Sequence, residues 1–146
     1  MKNLIFPSFL ILFSLFMTSL SFAQNADDIL GEWYTTEKDA KIKIFKSGNK
    51  YSGKIVWLKE PNENGKPKVD ENNSDKSKRG QPIQGLELLS DFEWNGKVWE
   101  NGTIYDPSSG KTYSCTIKKK DDKTIDVRGY IGISLAGKSV EWTKVK

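Results

Sequence analysis

Residues 102–117, GTIYDPSSGKTYSCTI, hold two alternating strands and the turn between them, and so set which faces the neighbouring strands present. In Asp106-Pro107-Ser108-Ser109-Gly110 the proline sits where a type I turn needs φ near −65°, and the glycine where the chain leaves with positive φ. That is the chemistry of a four-residue hairpin loop. It places Asp106 opposite Lys111, Ile104 opposite Tyr113 and Gly102 opposite Cys115. Ile104, Gly102, Tyr113, Cys115 and Ile117 then share one apolar face, while Tyr105, Thr103, Asn101 and Trp99 oppose Thr112, Ser114 and Thr116 on the other. In a sheet wet on one side the apolar face turns inward; a polar ligand cavity would reverse the assignment.

Outward from this hairpin the same period of two recurs. Asn95-Gly96 is a two-residue hairpin signal between Phe92-Glu93-Trp94 and Lys97-Val98-Trp99. Upstream, Gly31-Glu32-Trp33-Tyr34 begins a first strand behind a helical turn that Asn25 can cap. Ala40 to Phe45 alternates, Ser47-Gly48-Asn49 turns, and Tyr51 to Leu58 returns. Downstream, Thr124 to Tyr130 and Lys138 to Val145 flank a loop over residues 132–137. The Lys118-Lys119-Lys120 run is followed at once by Asp121-Asp122 and reads as a solvated hairpin turn. Between the third strand and Gly85 lie residues 59–82, with Pro61, Pro67 and Pro82, many Asn, Asp and Lys, and no aromatic residue. Such a stretch cannot pack a core and reads as a long polar loop or lid.

The chain starts with Lys2 ahead of an apolar run and reaches Ser21-Phe22-Ala23, small residues at the positions a signal peptidase selects. Residues 1–23 are therefore expected to be a secretory signal peptide rather than a membrane anchor, and residues 24–146 a single domain with no membrane span. Removing 23 of the 146 residues leaves 123, and losing Lys2 leaves 22 basic against 19 acidic residues, net +3. Mild, interleaved charge on an exported protein argues against a nucleic-acid partner. Cys115 is the lone cysteine, so no internal disulfide can staple the fold, and its mid-strand position on the apolar face reads as packing.

About eight short antiparallel strands without an amphipathic helix to cover a sheet face would leave two open edges. An all-β, up-and-down β-barrel of about eight strands removes them, and its interior is either filled by side chains or holds one small ligand.

Gly31-Glu32-Trp33 resembles the Gly-x-Trp signature of lipocalin and avidin-like barrels. Across the expected domain, four groups of residues closely resemble the domain-of-unknown-function family 2147 (DUF2147) of exported bacterial proteins. They are Gly53 to Leu58, Gly85 to Leu89, the Gly102 hairpin, and Val127-Arg128-Gly129-Tyr130-Ile131-Gly132 with Trp142-Thr143. The resemblance implies a lipocalin-like barrel and a periplasmic or secreted location, and carries no activity with it. The family's central loop reads Asp-x-x-Asn-Pro, whereas here Asp70-Glu71-Asn72-Asn73 is followed by Ser74. By likeness to lipocalin-like barrels, Arg128 is expected to stack on Trp33 and close one barrel end.

The chain has no histidine, so Ser-His-Asp and Cys-His catalysis and His-based metal sites are absent. The Asp70 to Asp75 run lacks the glycine and the distal glutamate of a calcium loop and reads as an ordinary solvated turn. Carboxylate pairs such as Glu87 with Glu93, or Asp106 with Asp126, carry no glycosidase signature. The expectation is a non-enzyme without cofactor, metal or catalytic residues. What remains is aromatic: Trp57, Trp99, Tyr105, Tyr113 and Tyr130 are the candidate ligand-binding residues, and Trp33 with Arg128 the structural closure. Two readings follow. One is a periplasmic carrier of a small, partly apolar molecule with residues 59–82 as its lid; the other is a filled barrel that acts as an envelope interaction protein through its surface.

Overall fold

Strands that alternate apolar and polar residues bury one side each when they pair edge to edge, and joining the last to the first satisfies every backbone edge at once. The computed structural model describes residues 24–132 and 137–146 and has that form. The expected signal peptide and residues 133–136 lie outside the described residues. The strands are β1 (Gly31–Tyr34), β2 (Ala40–Ser47), β3 (Lys50–Leu58), β4 (Asn62–Glu63), β5 (Lys66–Pro67), β6 (Glu87–Trp94), β7 (Trp99–Asp106), β8 (Lys111–Asp121), β9 (Thr124–Tyr130) and β10 (Lys138–Lys144). Eight close in the order β1-β10-β9-β8-β7-β6-β3-β2, and β4 with β5 form a separate small hairpin inside the 59–82 loop. The expected all-β, eight-stranded antiparallel barrel is the fold.

The β7–β8 register matches the turn chemistry: Asp106 faces Lys111, Ile104 faces Tyr113 and Gly102 faces Cys115. The apolar face points inward, with Cys115 and Ile117 fully buried. Alternation breaks just before Gly102, where a bulge forms and Asn101 takes a left-handed φ of 60°. The extra residue turns Trp99 inward, opposite Ile117, instead of leaving it on the wet face that strict alternation assigns. Gly102 is required there, because a Cβ would lie 2.5 Å from the Phe92 ring.

One end of the barrel is plugged. Asn25 caps a short 3-10 helix, Ala26–Ile29, through a capping box with Asp28. The Trp33 indole N–H donates to the Ile29 carbonyl at 2.8 Å, and the Trp99 indole N–H to the Ala26 carbonyl at 2.9 Å. Tyr51 O–H donates to Asp27, and the Lys119 ammonium reaches Asp28 at 3.0 Å. Lys119 can do so because the lysine run is part of β8, with Lys119 turned toward the helix, and the turn comes only after Asp121. The solvated-turn expectation for that run gives way to strand pairing. Behind the plug, Trp33, Ile42, Tyr51, Phe92, Trp99 and Ile125 are buried together in the core.

Trp33 closes this end, but not with Arg128. The cation over its ring is the Lys144 ammonium, 5.6 Å from the centroid. Arg128 alternates outward beside the buried Val127, and its Nη1 donates to Ser139 Oγ at 2.9 Å. The cause is register: Ser139 faces Arg128 and Lys144 faces Trp33, so the two lie well apart along β10.

Trp33→Ala is expected to cost about 3–5 kcal/mol, the range for truncating a buried aromatic, because it removes core volume and the bond to Ile29 together. Thermal melting followed by circular dichroism checks this; an unchanged Tm would contradict the plug.

Candidate functional site

At the end opposite the helix the interior runs out of large side chains. Inward positions there carry Leu88, Ile104, Tyr113, Gly129 and Val140, and they surround a cavity of about 600 Å3 that is also lined by Asp106 and Pro107 of the β7–β8 turn and by Ile131, Gly137 and Lys138. Gly129 is the reason for much of the space: a Cβ would meet Ile104 Cγ2 at 3.4 Å and Tyr113 Cβ at 3.7 Å, so a larger side chain at this position would project into the hollow. Glycine inside a strand is a signal of close approach or open space.

The cavity wall is mostly aliphatic, and its polar groups differ in what they have left to offer. Tyr105 is committed outward, its O–H donating to Asp70 Oδ1 at 2.7 Å. Asp106 is committed to its own turn, accepting from the Ser108 backbone N–H at 3.0 Å and from the Ser108 and Ser109 hydroxyls at 2.7 Å each. Burial pushes the Asp106 carboxyl up, but those hydrogen bonds outweigh it and hold the group below the ordinary carboxylate value. The Tyr113 and Tyr130 hydroxyls and the Lys138 ammonium make no hydrogen bond or ion pair among the described residues. All three can donate, and among the described residues that line the cavity the one carboxylate, Asp106, is committed to its turn.

Residues 59–82 are not a cover for this mouth, since none of them lines the cavity. The loop docks on the flank of the β7–β8 hairpin instead. Asp70 is fully buried, accepting from Tyr105 and, at 2.7 Å, from Asn73 Nδ2. Asn72 Nδ2 donates to the Pro107 and Ser108 carbonyls at 3.3 and 3.1 Å. The Asn72 carbonyl lies 1.8 Å from where a Gly110 Cβ would be, at a residue whose φ is +71°. Gly110 is thus required twice. The Asp70 run, expected to be a solvated turn, is an anchor whose Asp-x-x-Asn spacing closes through Asn73 N–H to the Asp70 carbonyl at 3.1 Å. Ser74 in place of the family's proline leaves that closure intact.

Of the five aromatic candidates, Tyr105, Tyr113 and Tyr130 meet at the cavity. Trp99 packs at the plugged end, 4.4 Å from Trp94 between centroids. Trp57 lies on the outer face, edge-on to Tyr34 at 6.4 Å. Sequence reasoning missed Asp70, Gly129 and Lys138. A strand glycine was the available signal for Gly129, and the Asp-x-x-Asn spacing for Asp70; Lys138 gave none. Cys115 is inert packing, its thiol pushed up to about 12 by burial.

The family model for an uncharacterized protein conserved in bacteria (DUF2147) matches residues 31–144, and the chain belongs to that family. Among solved structures the chain resembles protein HP1028 from the human pathogen Helicobacter pylori, described as belonging to the lipocalin family. The TM-score is 0.70 and the identity 20%, over 80% of this chain and 82% of that one. At that identity the likeness speaks for the lipocalin-like fold. No curated protein matches.

The Tyr105–Asp70 contact generates a test. Tyr105→Phe leaves a buried carboxylate short of a donor and is expected to cost about 1–3 kcal/mol. Burial, then the hydrogen bond to Asp70, raises the Tyr105 phenol from 10.0 to about 12. A raised folded-state value means stability present below pH 10.0 and lost as pH rises toward about 12. Tyr51, bonded to Asp27, behaves alike. Denaturation at stepped alkaline pH should show a shallower loss in Tyr105→Phe than in wild type; identical slopes would contradict the contact.

Proposed function

We propose that this DUF2147 protein is an exported binding or carrier barrel of the bacterial envelope that holds one small, partly apolar molecule in its open-end cavity and catalyses no reaction. The cavity carries the reading. Its volume of about 600 Å3 lies in the range of small-ligand pockets, about 300–1,000 Å3, and its wall pairs aliphatic surface with a few convergent polar groups. Apolar contact supplies affinity roughly in proportion to the area removed from water, and the polar groups fix orientation. Because Tyr113, Tyr130 and Lys138 offer donors, the molecule's polar end is an acceptor, best an anionic one, near the Lys138 rim. The filled half around Trp33 and Trp99 gives the rigid base that such a site needs. The signal-like residues 1–23 support export.

The test uses 1-anilinonaphthalene-8-sulfonate, a dye with apolar rings and a sulfonate. Wild type is expected to bind it with a fluorescence rise. Gly129→Leu, which fills the hollow, should weaken binding at least tenfold while its far-UV spectrum stays that of the barrel, and Lys138→Ala should weaken it severalfold. Trp57→Ala, outside the cavity, should leave it unchanged. Undiminished binding by Gly129→Leu would remove the cavity from consideration.

A further inference from the structure

The outer face of β1, β2 and β3 is built unlike the rest of the surface. Lys43 and Lys54 stand directly opposite each other across β2 and β3, a like-charge pairing that destabilises a sheet. Lys41 lies beside them on β2, and its ammonium sits 5.1 Å from the Tyr34 ring centre and 5.3 Å from that of Trp57. Lys54 lies over Phe45. The lysines elsewhere include several that reach carboxylates: Lys46 to Asp27, Lys50 to Glu93, Lys119 to Asp28, Lys120 to Glu141. Lys41, Lys43 and Lys54 make no ion pair among the described residues. Two acids flank this pair of lysines, Glu32 opposite Lys43 on β1 and Glu87, which accepts from Ser90 Oγ, opposite Lys54 on β6; in the turn beyond, Asp39 is engaged by Thr35 Oγ1.

Beside this face a groove of about 410 Å3 is lined by Tyr34, Lys38, Lys41 and Lys144 among others, with no Asp or Glu side chain. Trp57, 37% exposed, stands at the end of β3. That end and the β1–β2 turn lie at the open end of the barrel, as does the β7–β8 turn, because alternate turns of an up-and-down barrel share an end.

We infer that this face docks on an anionic phospholipid surface. Cations on β2 and β3, with Lys144 of β10 in the groove beside them, suit an extended negative plane better than a single phosphate group. Trp and Tyr beside them suit the headgroup layer, where an apolar ring and a polar tip are both satisfied. Among the described residues no helix is long and apolar enough to cross a membrane, so the contact is peripheral and electrostatic. The inference stands on the outer face and does not require the cavity to bind a ligand.

The experiment is co-sedimentation of the protein, as the cell processes it and purified without detergent, with vesicles. Phosphatidylcholine mixed with phosphatidylglycerol is compared with phosphatidylcholine alone. Wild type is expected to bind the mixed vesicles, to release with rising salt, and to ignore the neutral ones. Each lysine near such a surface contributes roughly a fivefold factor, so Lys41→Gln/Lys43→Gln/Lys54→Gln together should weaken partitioning about a hundredfold. Lys54→Gln separates binding from folding: it removes one member of the like-charge pair and sets no acid against Glu87, so its Tm should stay close to that of wild type while binding falls. Equal binding to both vesicle types, undiminished binding by the lysine variants, or no binding to mixed vesicles would each overturn the inference. Retention on acidic polysaccharide beads without vesicle binding would overturn it in favour of a glycan.

Discussion

The barrel depends on a short seam. β1 meets β10 through Trp33 opposite Lys144 and Tyr34 opposite Thr143, and without those rungs the sheet would be open along both edges. Backbone pairing over so short a length cannot hold alone, and the side chains reinforce it. Trp33 fills the seam from inside, bonds the Ile29 carbonyl and lies under the Lys144 ammonium, while the Val145 N–H bonds the Glu32 carbonyl at 2.9 Å. The 3-10 helix across the end adds contacts to Trp99, Tyr51 and Lys119 on β7, β3 and β8. A helix of one turn has little stability of its own; here it is held by the barrel it plugs. Asp28 sits at that junction, and hydrogen bonds from the Asn25 backbone and Lys119 hold its carboxyl below the ordinary value.

Concentrating the large side chains at the plugged end is what permits a hollow at the other. A barrel of this size has room either for packed side chains or for one small ligand, and the two halves of this chain divide those options. Trp33, Phe92 and Trp99 supply the tight half; Gly129, with Leu88, Ile104 and Val140, supplies the open one. The mouth keeps its shape through outside support, because Asp70 and Asn72 fasten the long loop to the β7–β8 turn. The loop therefore serves the rim as a buttress, and its polar composition is consistent with that: it contributes a buried carboxylate and carbonyl contacts rather than core.

Much of this architecture is legible in the sequence because turn chemistry and alternation are local. Asp106 to Gly110 gives the hairpin register from Asp106 back to Gly102, and Asn95-Gly96 marks the place of the next turn, which spans residues 95–98 instead of the expected two because Trp94 faces Trp99. What escapes is whatever depends on a single added residue or on a distant partner. The bulge at Asn101 reverses the face of Trp99 without any mark in the pattern, since Asn only tolerates a left-handed φ and does not announce it. Lys144 displaces Arg128 over Trp33 because the β1–β10 register is set by closure of the whole sheet. Asp70 looks like one acid among many in a polar loop, and only Tyr105, 35 residues away, makes it a core residue. Trp57 and Trp99 were indistinguishable from the cavity tyrosines by composition; strand position and the bulge separate them.

The central claim is that the open end binds and the plugged end does not. Methyl-resolved NMR of the folded protein during titration with a long-chain carboxylate measures this directly. The account predicts shifts at Leu88, Ile104, Val127 and Val140, which line the cavity, and none at Ile29 in the plug or Ile42 behind it. Shifts spread evenly over both ends, or confined to methyls of the outer surface, would contradict it.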